Sequence, residues 1–159
     1  LARGEFPLWN SLWFSGYPHF AVPSNSMLYP TTVIFGLLPF AAAVKLFTLS
    51  HVYLFAAFSY WLGRDMFGTR APAIFLGICG VVGSLIVWGI EGGQLWMVAT
   101  LAWMPLAFLL LRRTLYTGRP IFAIALTPVL TLMLFAGDPQ TMSFVYLWFG
   151  LFTAATLII

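Results

Sequence analysis

Of 159 residues, 62% are hydrophobic and 18% aromatic, while 7% carry a charge, against roughly 25% in an ordinary soluble domain. That balance excludes a disordered chain, a collagen-like fibre and a nucleic-acid-binding arm, and seven basic with four acidic side chains cannot furnish the polar surface of a soluble globule. A net charge of +3 spread among long apolar runs forms no basic patch, so no nucleic-acid partner is expected; such charge orients a protein in a bilayer. The expected fold class is all-α: a polytopic helical membrane protein with about five transmembrane helices, an outer aromatic, proline-rich loop and short interfacial helices.

In chain order, residues 1–30 stand apart. Pro7, Pro18, Pro23 and Pro30, with Asn10, Ser11, Gly16, Ser24 and Asn25, forbid a long helix. Phe6, Trp9, Trp13, Phe14, Tyr17 and Tyr29 are the side chains expected where a membrane meets water. They read as an aromatic belt holding a loop on the bilayer, or as a loop that also lines a site. Residues 31–38 are too short to span, since a crossing takes about 20 apolar residues; they read as an interfacial or re-entrant turn of helix stopped at Pro39.

Spans are then predicted at about 41–62, 71–89, 95–111, 120–136 and 141–159, so residues 1–40 form the outer segment and 41–159 the bundle. The intervening turns are 63–70, Glu91-Gly92-Gly93-Gln94, 112–119 and Gly137-Asp138-Pro139-Gln140. Five alternating spans put Arg64, Arg70, Arg112, Arg113 and Arg119 on one side, cytoplasmic by the positive-inside rule. Residues 1–30, 90–94 and 137–140 then share the outer face. The chain starts at Leu1 and stops inside an apolar run, so it reads as a fragment of a larger single membrane domain.

Ala73, Gly77, Gly80 and Ser84 recur at helical steps and form a face on which another helix can pack closely. Pro105 and Pro128 sit inside spans and should kink them. A lone Cys79 allows neither an intrachain disulfide nor a cysteine-based metal site.

Chemistry has to come from the few ionisable groups, because each costs several kcal/mol in a bilayer unless paired or wet. Glu91 and Asp138, with Gln94 and Gln140 close by, can serve as a general base or hold a divalent cation; the alternative is a pair of solvated loop acids. His51, near the middle of the first full span, is either a functional group or a neutral imidazole bonding a neighbouring helix. Lys45 can snorkel to the outer interface and there, with Arg3 and His19, meet a lipid phosphate. No spacing typical of zinc proteases, thiol redox sites, serine hydrolases or P-loop nucleotidases occurs.

The series Gly4-Glu5-Phe6-Pro7-Leu8-Trp9-Asn10, Gly16-Tyr17-Pro18 and Tyr29-Pro30 resembles the outer loop of YfhO-like bacterial membrane proteins. The resemblance continues through His51, Gly63-Arg64 and Trp103-Met104-Pro105-Leu106 to Gly137-Asp138-Pro139-Gln140, where that family tends to show Gly-His-Pro. It implies a GT-C-type glycosyltransferase of the bacterial cytoplasmic membrane. Such an enzyme moves a sugar from a polyprenyl-phosphate donor to a cell-envelope glycan or lipid acceptor on the outer face. A carboxylate of the first outer loop is the usual base in such enzymes. Glu5 is the acid of that loop present here, and the principal Asp is expected upstream of Leu1.

The candidate catalytic residues are thus Glu5, Glu91 and Asp138. Arg3, Trp9, Asn10, His19, Tyr29, Lys45, His51, Gln94 and Gln140 are candidates for binding substrate. The rival classes are a transporter or flippase-type carrier, which needs broken helices and a midplane polar site, and a membrane partner subunit without chemistry.

Overall fold

The computed structural model describes residues 8–10, 16–18, 22 and 25–158. A two-residue antiparallel pair, β1 (Trp9–Asn10) with β2 (Tyr17–Pro18), lies in the head. A 3-10 turn at Pro30–Val33 leads into α1 (Ile34–Leu37). Then come α2 (Phe40–Phe67), α3 (Arg70–Val82), α4 (Ser84–Glu91), α5 (Leu95–Thr117), α6 (Pro120–Ala136) and α7 (Pro139–Ile158). The protein is all-α and of membrane type. Four stretches are long and apolar enough to cross a bilayer: Phe40–Phe67, Arg70–Glu91, Leu95–Thr117 and Pro139–Ile158. The fifth expected span, α6, is apolar but shorter, at 17 residues.

Two of the expected turns are mostly helix. Residues 63–67 complete α2, and 112–117 complete α5. Hydropathy marks where the hydrocarbon ends, whereas a helix ends where its backbone hydrogen bonds do. Here Gly68 (φ +71°) and Gly118 (φ +65°) stop the chain by entering the left-handed region, and their N–H groups close on the Arg64 and Thr114 carbonyls. The expected continuous span 71–89 is instead two helices, with Gly83 extended between α3 and α4 (φ −59°, ψ +146°). The 3-10 turn, α1 and the stop at Pro39 agree with the short helical segment read over residues 31–38.

The arrangement centres on α5. Half of its spanning stretch is buried inside the protein, against 17% for α2 and α7. It packs on α2, α4, α6 and α7. One core joins Ala107 of α5 to Val129 and Met133 of α6 and to Met142, Val145 and Phe149 of α7. A second joins Ile86 of α4 to Met97, Val98 and Leu101 of α5. Apolar side chains on the outer faces, such as Tyr53, Phe75, Ile78 and Phe144, remain exposed, as expected where the surrounding solvent is lipid.

Small residues bring α3 against α2. Ala73 and Gly77 are buried. A methyl on Gly77 would stand 3.2 Å from the Ala56 carbonyl oxygen, and one on Gly80 would meet the Phe55 ring at 2.6 Å. Gly63 of α2 answers from the other side, where a methyl would come within 2.7 Å of the Ala73 Cα. Lipid supplies no hydrophobic drive between helices, so this close approach gives the pair its dispersion energy.

At one end of the bundle Asp65 of α2 bridges to α5. Its carboxylate accepts from Arg112 and, at 2.8 Å, from Nε of Arg113. This tie exists because both helices outrun the predicted spans. We expect Gly63→Ala to lower stability by about 1–3 kcal/mol, since backbone faces backbone and cannot yield. Gly150→Ala, with open space around it, should cause no loss. Thermal unfolding in detergent distinguishes the two.

Candidate functional site

The head is anchored by a chain of buried hydrogen bonds. Trp103 Nε1 donates to the Tyr29 hydroxyl at 2.7 Å. That hydroxyl lies 2.7 Å from His51 Nε2, and His51 Nδ1 lies 2.6 Å from the Phe47 carbonyl oxygen. An indole N–H only donates and a carbonyl only accepts, so the order is determined. Tyr29 donates to Nε2, and Nδ1–H donates to Phe47. The imidazole is thereby the neutral Nδ1–H tautomer with both nitrogens used.

His51 and Tyr29 are almost fully buried. Burial also holds the Tyr29 phenol above its ordinary pKa, against a smaller downward pull from the Trp103 hydrogen bond. Tyr29 therefore does not sit in an aromatic belt, one of the two readings given for the head aromatics. It is a peg in the core between α2, α5 and α6, with Phe47, Ala99 and Ala136 around it. Ser26 adds a 2.6 Å hydrogen bond to the Ala136 carbonyl. Of the two readings of His51, the geometry matches the neutral imidazole bonded to its neighbours.

The open site lies at the same end of the bundle, between α4, α5 and α7. It is a groove of about 460 Å³. Gln94, Asp138, Gln140 and Thr141 form its polar rim, and Trp88, Trp96 and Trp148 stand along it. Leu101 and Met104 line its depth, about two to three helical turns below the start of α5.

Local sequence explains the rim. Pro139 can begin a helix but not continue one, so α7 starts there and Asp138 takes the capping position. One Asp138 oxygen accepts the Thr141 backbone N–H at 3.2 Å, and the other accepts the Thr141 hydroxyl. The carboxylate is thus held in a defined place with lone pairs to spare. Gln94 directly precedes α5. Among the described residues, neither it nor Gln140 has a side-chain hydrogen bond within the protein.

The structure brings together part of the predicted set. Asp138, Gln94 and Gln140 meet at the groove. Glu91, at the C-terminal end of α4, is exposed and does not line it. Lys45 is exposed on α2, likewise outside the groove. Trp9 is exposed, and its indole lies so close to Gly16 that a methyl there would meet Nε1 at 2.7 Å. Asn10 pairs with Tyr17 in the hairpin. Arg3, Glu5 and His19 lie outside the described residues. Among the described residues no three His, Cys, Asp or Glu side chains gather closely enough to hold a metal ion.

Trp88, Trp96, Trp148 and Thr141 belong to the groove without having been singled out from sequence. Trp88 and Trp96, each near one end of its span, are a usable signal that is also what an ordinary aromatic belt looks like, whereas Trp148 lies near the middle of α7. No family model, curated protein or solved structure matches this chain. For the buried chain, Tyr29→Phe removes the one hydroxyl that satisfies both Trp103 and His51. It should cost about 1–3 kcal/mol, read as a fall in thermal stability of the detergent-solubilised protein.

Proposed function

We propose that the chain is part of a GT-C-type membrane glycosyltransferase that transfers a sugar from a polyprenyl-phosphate donor to a cell-envelope glycan or lipid acceptor. In this reading the arginine-rich end faces the cytoplasm and the groove opens at the outer face of a bacterial cytoplasmic membrane. The observation that carries it is the groove itself, a polar rim of one carboxylate and two amides above an apolar, tryptophan-lined trough. A polyprenyl-phosphate sugar has the same division, with a polar sugar end and a long apolar tail. The resemblance of the head to YfhO-like proteins points the same way, whereas the Asp138 turn departs from the Gly-His-Pro usual in that family.

The chemistry is a displacement at the anomeric carbon. The acceptor oxygen forms the new C–O bond while the bond to the lipid phosphate breaks, and the polyprenyl phosphate departs with that electron pair. The acceptor hydroxyl proton passes to Asp138, the one carboxylate of the groove among the described residues. Gln94 and Gln140 hold sugar hydroxyls, and the tail lies toward Leu101 and Met104.

The carrier reading draws on the helix break at Gly83 beside the groove. The histidine deep in the bundle, however, is saturated by Tyr29 and Phe47 and offers nothing to a transported solute.

Asp138→Asn tests the assignment, because asparagine caps a helix about as well as aspartate while losing the base. With the purified full-length protein and a polyprenyl-phosphate sugar, transfer or donor hydrolysis should fall about 100-fold or more at unchanged thermal stability. Wild-type turnover in the variant sinks the role of Asp138. Failure of the wild type to bind or turn over any such donor sinks the glycosyltransferase reading. Binding and translocation without turnover favours the carrier.

A further inference from the structure

At the opposite end of the bundle a second cavity, of about 450 Å³, lies between the last turns of α2 and α5. Trp61, Arg64, Asp65, Leu109 and Arg113 line it. Asp65 is shared by two guanidiniums, those of Arg112 and Arg113. It engages Arg113 through Nε, leaving the two terminal nitrogens of that side chain, which is 43% exposed. The Arg113 guanidinium also rests over the Phe122 ring, 5.6 Å from its centroid, which holds it in place. The guanidinium of Arg64, a partly buried residue, enters no ion pair or hydrogen bond among the described residues. Two guanidiniums thus share one carboxylate while a third, that of Arg64, lines the same cavity, and the surplus positive charge lies beside apolar surface on Trp61 and Leu109.

We infer that this cavity binds the phosphate headgroup of an anionic phospholipid. A guanidinium fork matches phosphate oxygens two at a time and carries its charge at any pH a membrane meets. Basic pockets between spanning helices at the cytoplasmic surface are suited to anionic headgroups. The apolar part of the lining argues for a lipid over a free anion. Trp61 and Leu109 continue from the guanidiniums toward the hydrocarbon, and Trp61 is 52% exposed, so an acyl chain can follow the path its headgroup marks. The site shares no residue with the outer groove, and its occupancy does not depend on the glycosyltransferase reading.

Native mass spectrometry of the detergent-solubilised protein, titrated with dioleoylphosphatidylglycerol or dioleoylphosphatidylcholine, tests the inference. The wild type should retain one phosphatidylglycerol more tightly than phosphatidylcholine. Arg64→Gln should weaken phosphatidylglycerol about fivefold, the loss expected for one guanidinium at a headgroup, with phosphatidylcholine binding and thermal stability unchanged. Arg113→Lys, which keeps the charge but loses the fork, should weaken it less. Equal retention of the two lipids, or wild-type affinity in Arg64→Gln, overturns the proposal. So does displacement of the lipid by inorganic phosphate at equal concentration, which assigns the cavity to a free anion.

Discussion

A bilayer interior holds no water, so a polar side chain below the headgroups must find its partner within the protein or lie where water reaches. That constraint organises this molecule. Trp103, Tyr29, His51 and the Phe47 carbonyl form one unbroken donor–acceptor sequence, and the head is pulled into the bundle by it. Without the phenol, an indole N–H and an imidazole nitrogen would be stranded among apolar side chains. With it, residues 25–37 close the space between α2, α5 and α6. A groove between α4, α5 and α7 opens at the same end.

The same constraint sorts the remaining polar groups toward the two ends. At one end, three arginines and Asp65 gather where α2 and α5 extend past the hydrocarbon. At the other, Gln94, Asp138, Gln140 and Thr141 form a rim above an apolar trough. Between them the helices are held by shape. Glycine and alanine at the α2–α3 contact let two backbones approach closely, and α5 supplies the surface on which both halves pack. The architecture therefore presents two sites of opposite character. One is cationic and suited to phosphate; the other carries an acid and amides suited to hydroxyl groups.

Much of this was legible in the residues. Composition and apolar run lengths indicated a helical membrane protein, and four of the five expected spans fall on stretches long and apolar enough to cross a bilayer, one of them broken at Gly83. The small-residue face of the second span was readable because close helix approach demands a fixed spacing of glycine and alanine. Gln94, Asp138 and Gln140 were readable as a group because their turns alternate to one end. Other features were hidden. Helix ends at Phe67 and Thr117 depend on the left-handed glycines that follow rather than on hydropathy. The break at Gly83 falls within an apolar run that carries no charge to mark it. Asp65 falls in the run 63–70 expected as a turn, and its meeting with Arg112 and Arg113 depends on the extra helical residues that α2 and α5 add beyond the expected spans.

The sequence by itself determined the solvent this protein lives in, its helical class and the division of its charged groups between two ends, because those follow from composition and from the length of chain needed to cross hydrocarbon. It also narrowed the groups able to carry chemistry to a handful. Only the tertiary structure decided among them. It spent His51 and Tyr29 on each other and joined Asp138 to Gln94 and Gln140 while leaving Glu91 aside. It also turned the arginines of two loops into one cavity. Such outcomes depend on which helix faces which and at what depth. They are set by packing between segments 22 to 74 residues apart in the chain, which no local pattern of residues encodes.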